Sequence, residues 1–204
     1  MAKITAITAQ EKNKKRCNLF IDEQFFTGVS LETVLKYCLK VGQEIDQKDL
    51  ADLVLDSEKV VAIEKAVAYT SKSLKTKKQV KTYLEGKGFT YEVVKHCIDK
   101  LVEYNMIDDK EYSKRYIESA SKKQGKRLTE YKLMMKGVKK DDISLAYEDS
   151  NVCDKENAKI VAEKHIRNKE KTKENIAKTY RYLIGKGFSY DEASYAISFF
   201  KEEN

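Results

Sequence analysis

Residues 82–92 read TYLEGKGFTYE and residues 181–191 read RYLIGKGFSYD, so Tyr-Leu-x-Gly-Lys-Gly-Phe is written twice in one chain. In a basic protein a Gly-Lys-Gly can cradle a phosphate, or it can stop a helix. A third, weaker copy decides between the two. Leu84–Phe89 aligns with Leu133–Val138 and Leu183–Phe188, at spacings of 49 and 50 residues. Only Leu-x-x-Lys-Gly-apolar survives in all three. Gly86 and Gly185 correspond to Met135, whereas Gly88, Gly137 and Gly187 are kept. A single retained glycine after a helical stretch predicts a left-handed helix C-cap, where a side chain would cost energy. Lys87, Lys136 and Lys186 before it face the negative end of the helix dipole. Thr90, Asp141 and Ser189 are placed to cap the next helix, and Ser189-x-x-Glu192 reads as a capping box. A phosphate loop would instead open a helix after a strand.

A period near 50 residues signals an array of helical repeats. Val60, Ile63, Val67 and Leu74 mark a first helix, Val80, Tyr83 and Leu84 a short second, and Val94, Cys97, Ile98, Leu101 and Val102 a third. Asp108-Asp109 and Asp154 are N-cap candidates for the following units. The expected repeats are 58–107, 108–152 and 153–204. Residues 1–57 differ. Ile4–Thr8 alternates as a strand, and Cys17–Ile21 and Phe25–Thr27 flank Asp22-Glu23-Gln24 as a hairpin. Ser30 caps a helix carrying Leu31, Val34, Leu35, Cys38 and Leu39, which Gly42 ends. Asp46 caps a further short helix with Leu50, Leu53 and Val54. The expected fold class is mainly α: a tandem array of three-helix repeats with a small N-terminal extension containing a β-hairpin.

Composition agrees. The 204 residues include no proline and eight glycines, which suits helices. The net charge of +7 is uneven: residues 1–57 hold 8 Lys/Arg against 9 Asp/Glu, leaving 32 against 24 in the remainder. A polyanion or an acidic protein is the implied partner. Cys17, Cys38, Cys97 and Cys153 lack the spacing of a zinc site or a disulfide framework. No stretch resembles a signal peptide or a membrane span, so the expected compartment is the cytoplasm.

The positive charge concentrates near the start of each repeat's second helix. The first such joint carries Lys72, Lys75, Lys77, Lys78 and Lys81, and the second Lys122, Lys123, Lys126 and Arg127. The third carries Arg167, Lys169, Lys171, Lys173, Lys178 and Arg181, diluted by Glu170 and Glu174. Recurrence at one position of a repeat predicts basic patches at regular spacing, suited to a periodic polyanion or a filament. Lys87, Lys136 and Lys186 are further candidate contacts. Tyr131 and Tyr180 are candidates to stack on unpaired bases. His96 and His165 accompany no nucleophile motif, and Asp108-Asp109 reads as a cap before a metal pair, so neither enzyme chemistry, a cofactor nor a metal is expected.

In order, Phe20-Ile21-Asp22-Glu23-Gln24-Phe25, the three Leu-x-x-Lys-Gly-[Phe/Val] motifs and Leu101–Tyr112 (LVEYNMIDDKEY) resemble RecX, the bacterial regulator of the RecA recombinase. The resemblance spans nearly the whole chain, with Val138 a mild departure from the aromatic or isoleucine usual after Lys-Gly. It implies a non-catalytic monomer of the DNA repair, recombination and SOS systems. Such a protein binds along the RecA filament groove, spans protomers and reduces RecA ATPase, strand exchange and filament growth. It also implies weaker binding to single- or double-stranded DNA. A direct DNA-binding protein that acts without RecA is the competing reading.

Overall fold

A computed structural model describes residues 2–11 and 13–200. Strand β1 (Ala2–Ala9), β2 (Arg16–Ile21) and β3 (Gln24–Ser30) form an antiparallel meander, and a short β4 (Glu44–Ile45) adds to the free side of β1. In β2 the alternation places Cys17, Leu19 and Ile21 inside and leaves Arg16, Asn18 and Phe20 half-buried. The hairpin closes on two residues, Asp22 (φ 49°) and Glu23 (φ 65°), and Gln24 already belongs to the strand. Both turn residues thus sit in the left-handed region without a glycine. Two cross-strand bonds hold them: Lys3 N–H donates to Asp22 Oδ1 (3.1 Å) and Glu23 N–H donates to Thr5 Oγ1 (3.0 Å).

Ser30 caps α1 (Leu31–Lys36) by accepting from Thr33 N–H at 2.9 Å. The helix stops earlier than its apolar pattern suggests. Cys38 turns left-handed (φ 47°), Leu31 and Leu35 are exposed, and Gly42 lies beyond, in the turn into β4. Asp46 caps α2 (Gln47–Thr70), accepting from Asp49 N–H at 2.7 Å. The sequence suggests two helices here, but one helix of 24 residues runs through the expected boundary near residue 58. Asp56 near this boundary has partners of its own. Burial pushes its carboxyl pKa up, but hydrogen bonds from Lys36, Tyr37 and Lys59 outweigh this and hold it below the usual range. Leu74, assigned to this helix by periodicity, lies outside it and is exposed.

The remaining helices are α3 (Lys77–Glu85), α4 (Tyr91–Glu103), α5 (Asp109–Ala120), α6 (Lys126–Met135), α7 (Lys140–Glu148), α8 (Asp154–Ile166), α9 (Lys173–Gly185) and α10 (Tyr190–Ser198). Apolar clusters form by threes. Ala62, Ala66, Val80, Leu84, Val94, Cys97 and Leu101 join α2, α3 and α4. Ile117, Leu133, Val138, Ile143 and Ala146 join α5, α6 and α7. Ala158, Ala162, Ile176, Leu183, Phe188, Ala193 and Ala196 join α8, α9 and α10. The chain divides into two compact units, one of residues up to Ser73 with Val80–Ile107, the other of Leu74–Gln79 with Asp108 onward.

Caps follow the sequence in part. Asp108 accepts from Lys110 and Glu111 N–H, and the Ser189–Glu192 capping box is complete. Thr90 is an N-cap without a side-chain bond. Cys153 and Lys139 occupy the caps expected of Asp154 and Asp141, which sit in the first turns instead.

The three Lys-Gly turns share one geometry. Gly88, Gly137 and Gly187 have φ of 85°, 86° and 89°. The next residue's N–H reaches back to the leucine carbonyl: Phe89 to Leu84, Val138 to Leu133, Phe188 to Leu183. That pairing is the helix-terminating motif with a left-handed residue at its centre. Their surroundings differ. A Cβ on Gly88 would meet nothing within 4 Å, on Gly137 it would lie 2.4 Å from Lys78 Cβ, and on Gly187 2.5 Å from Leu128 Cβ. Gly88→Ala should therefore cost about 1 kcal/mol, the left-handed penalty alone. Gly137→Ala and Gly187→Ala should cost about 3 kcal/mol, because overpacking adds to that penalty. Denaturant melts of the three variants check the order, and equal losses contradict it.

Candidate partner-binding surface

The second unit shows how the basic joints are built. Segment Leu74–Gln79 lies against the turn that ends α6. Thr76 Oγ1 donates to the Lys136 carbonyl (2.7 Å), and the Lys78 ammonium donates to the Met135 carbonyl (3.2 Å). The start of α6 lies in the same way against the turn that ends α9. Gly125 N–H donates to the Lys186 carbonyl (3.0 Å) and Arg127 N–H to the Gly187 carbonyl (3.2 Å). So the carbonyl left open by each helix end is filled by a hydroxyl in one case and by a backbone N–H in the other. Gly125 is bare for this reason: a Cβ there would lie 2.4 Å from Phe188 N.

A carboxylate completes the first of these contacts. Asp109, the first residue of α5, is 8% exposed and its Oδ1 accepts from Lys77 N–H at 2.9 Å. Burial raises its pKa, and the Lys77 bond opposes the rise. Asp154, the first residue of α8, is likewise raised by burial and by Glu192, with Lys126 opposing. Asp109 therefore serves as an acceptor for a neighbouring helix start, a role its place beside Asp108 did not reveal.

Most of the sequence-assigned cations keep their side chains in water. Lys72, Lys77, Lys78, Lys81, Lys122, Lys123, Lys126, Arg127, Lys169, Lys171, Lys173, Lys178 and Arg181 are exposed, and Lys75 is half-buried. Several have surface partners: Lys81 pairs with Glu85, Lys126 with Glu130 and Lys178 with Glu174, each one helical turn away. Exposed pairs of this kind contribute little and yield readily to another anion. Tyr131 is exposed on α6, four residues after Arg127, and Tyr180 is half-buried.

Periodicity alone did not show a second recurrent feature. The turn lysine lies over an aromatic ring in every copy: Lys87 over Tyr83 at 5.6 Å, Lys136 over Tyr116 at 5.8 Å, Lys186 over Tyr182 at 5.2 Å. Each of these rings has a stacked partner, Tyr69 for Tyr83, Tyr112 for Tyr116 and His165 for Tyr182. In the first and third repeats the partner comes from the repeat's first helix, so no short motif carries it, whereas Tyr112 and Tyr116 lie four residues apart on α5. Cation–π contact and stacking fix the three turn lysines in place. Burial, aided by Lys169, holds the His165 pKa below its usual value. Its Nδ1 pairs with Thr179 Oγ1 at 3.0 Å.

Nothing in this arrangement resembles a reaction centre. Among the described residues no group of three or more His, Cys, Asp or Glu is placed to hold a metal. Burial pushes the Cys97 thiol up to about 11, away from the thiolate a nucleophile needs. No described helix is long and apolar enough to cross a membrane.

A regulatory protein RecX of Clostridium botulinum is 37% identical over 199 residues, spanning 94% of this chain and 92% of its own length. This chain belongs to the RecX family. The family model for the regulatory protein RecX N-terminal domain matches residues 2–46, the sheet with α1, and that for the third three-helix domain of RecX matches residues 154–197. A regulatory protein RecX of Clostridium tetani is 33% identical over 204 residues, 96% of this chain and 93% of that one. A crystal structure of regulatory protein RecX superposes with a TM-score of 0.74 at 25% identity, covering 96% of this chain and 98% of that chain. RecX proteins are regulators rather than enzymes, which accords with a surface built of repeated cations.

Two outcomes follow. Asp109→Asn keeps an acceptor for Lys77 N–H and should leave stability nearly unchanged, whereas Asp109→Ala should cost about 1–3 kcal/mol by leaving that donor unpaired. Urea melts of the two variants distinguish them. For His165 the unfolded chain binds the proton more readily than the folded one. Stability should therefore fall as pH drops below about 6.5. His165→Phe, which keeps a ring on Tyr182, should flatten the dependence of Tm between about pH 7 and pH 5.

Proposed function

We propose that this RecX-family chain binds RecA filaments, lying in the filament groove and spanning protomers, and that it slows ATP turnover, strand exchange and filament growth. The observation that carries the proposal is the recurrence of exposed cations at the start of each repeat's second helix, on a scaffold of period 50. A filament repeats as well. Several weak contacts at matched spacing add on it, whereas a lone protomer engages fewer of them. A protein that bridges neighbouring protomers resists the rearrangement each turnover requires. The chain acts as a monomer in the cytoplasm, within recombination and the SOS response, and its contact with DNA is the weaker of its two attachments.

The same cations would suit nucleic acid, and exposed Tyr131 near Arg127 could stack on a base. The two readings separate in one experiment. DNA-dependent ATPase of the cognate RecA is measured against increasing regulator, beside a DNA-binding titration, for the parent and three double variants: Lys72→Glu with Lys77→Glu, Lys122→Glu with Lys123→Glu, and Lys169→Glu with Lys171→Glu. The parent should inhibit below the concentration that coats free DNA. Each double variant should need about tenfold more protein, and added salt should weaken inhibition. If all three variants inhibit like the parent, the basic joints are not the contact surface. If inhibition appears only where DNA is coated, whichever recombinase is present, the protein acts on DNA.

A further inference from the structure

His165 lies between α8 and α9, and its two ring nitrogens have different partners. Nδ1 is 3.0 Å from Thr179 Oγ1, and Nε2 is 3.1 Å from the Lys169 ammonium. The Thr179 hydroxyl has one proton, which it donates to the Asn175 carbonyl at 2.9 Å, so towards His165 it can only accept. The ammonium of Lys169 can only donate. Both neighbours therefore require the same neutral tautomer. The proton is on Nδ1, and the lone pair of Nε2 faces Lys169.

Lys169 belongs to the third basic joint and is exposed. Its backbone is fixed separately from its side chain. The Lys169 N–H donates to the Ile166 carbonyl (2.8 Å), and Asn175 Nδ2 donates to the Glu170 carbonyl (2.9 Å). Because Nδ1 already carries a proton, a second one must enter the ring at Nε2. There it would set two donors and two positive charges about 3.1 Å apart. The groups that face the ring are Lys169 from just after α8, Thr179 and Tyr182 from α9, and Lys186, which lies over Tyr182 at 5.2 Å. None of these is a carboxylate that could offset the added charge. We propose that His165 is a proton-controlled latch on Lys169: the neutral ring holds the ammonium, and protonation at Nε2 releases it to an anionic partner.

The device belongs to one repeat of the three. The corresponding stacks are Tyr69 on Tyr83 and Tyr112 on Tyr116, and neither contains an imidazole, the side chain that titrates nearest neutrality. Burial and Lys169 both favour the neutral ring of His165, so the latch is closed at neutral pH and opens on acidification. The effect is reciprocal. An anion that draws Lys169 away takes a positive charge from Nε2 and brings a negative one near, so binding raises the affinity of His165 for its proton. The hold on the partner at the third joint therefore tightens as pH falls. This last step rests on the filament reading, because it requires the third joint to meet the partner.

The test uses the whole protein and has two arms. In the first, nuclear magnetic resonance follows the ring nitrogens of His165 in the free protein from about pH 8 to about pH 5, with the His96 resonances as reference. The parent should carry its proton on Nδ1, and Lys169→Met should move the His165 titration to higher pH. In the second arm, the parent, Lys169→Met and His165→Phe are titrated onto filaments of the cognate RecA at about pH 7.5 and about pH 6, at constant salt. Acidification should strengthen binding of the parent about threefold more than binding of Lys169→Met, a comparison in which any effect of pH on the filament cancels. His165→Phe keeps a ring on Tyr182 and frees Lys169, so at the higher pH it should bind more tightly than the parent. Circular dichroism checks that both variants are folded. The latch fails if the parent carries its proton on Nε2, or if Lys169→Met leaves the His165 titration where it was. Its coupling to the partner fails if the parent and Lys169→Met gain equally on acidification. If no form binds the filaments, the filament reading fails, and the first arm alone decides the latch.

Discussion

A left-handed residue stands at the end of each repeat's second helix, and the rest of the molecule is arranged around that constraint. The backbone at Gly88, Gly137 and Gly187 must turn sharply enough for the next apolar residue to fold back onto the helix it has just left. In the second unit the same missing Cβ has another consequence. It lets the start of a preceding second helix approach until hydroxyl or amide meets the open carbonyl of the lysine. One residue type therefore ends a helix, admits a neighbour and exposes the acceptor that the neighbour satisfies. Met135 can replace the first glycine of the motif because the chain there is still helical, and a helix has no use for glycine's freedom.

Each repeat is too small to stand on its own packing. The cluster around Ile117 and Leu133 has five buried apolar residues, fewer than a domain needs to offset the entropy of folding. Contacts between successive helices must supply the difference, as in other repeat proteins. They do so mainly with backbone groups and buried acids. Asp109 and Asp154 are costly to bury. They are tolerated because each faces the start of a second helix, where a backbone N–H or a lysine offsets part of the cost.

The three Lys-Gly helix stops and the caps at Ser30, Asp46, Asp108 and Ser189 were legible because each rests on a local rule. What the sequence concealed depends on distant residues. The short helix expected after Asp46 and the first repeat helix expected from residue 58 are one helix, and Asp56 near their junction is satisfied by Lys36 and Tyr37 from another element. The hairpin lacked a recognised turn pair because Lys3 and Thr5, nearly twenty residues away, hold Asp22 and Glu23 left-handed. The stacks of Tyr69 on Tyr83 and His165 on Tyr182 join two helices at separations no motif fixes. The basic joints were visible as composition, but not the fact that two of them are also places where helices meet.

The proposed binding role asks the same residues to hold the scaffold and to meet a partner. The geometry allows both by dividing main chain from side chain. Lys77 contributes its backbone N–H to Asp109 while its ammonium stays in water. Arg127 contributes its N–H to the Gly187 carbonyl while its guanidinium is exposed, and at Gly125 there is no side chain at all. Lys78 differs: its stem lies over Gly137 and its ammonium donates to the Met135 carbonyl. Cations anchored through the backbone can change partner, or change sign, without loosening the helices that carry them. On the proposed filament reading that separation has a use, because the binding charges can be lost to a competitor while the spacing between them stays fixed.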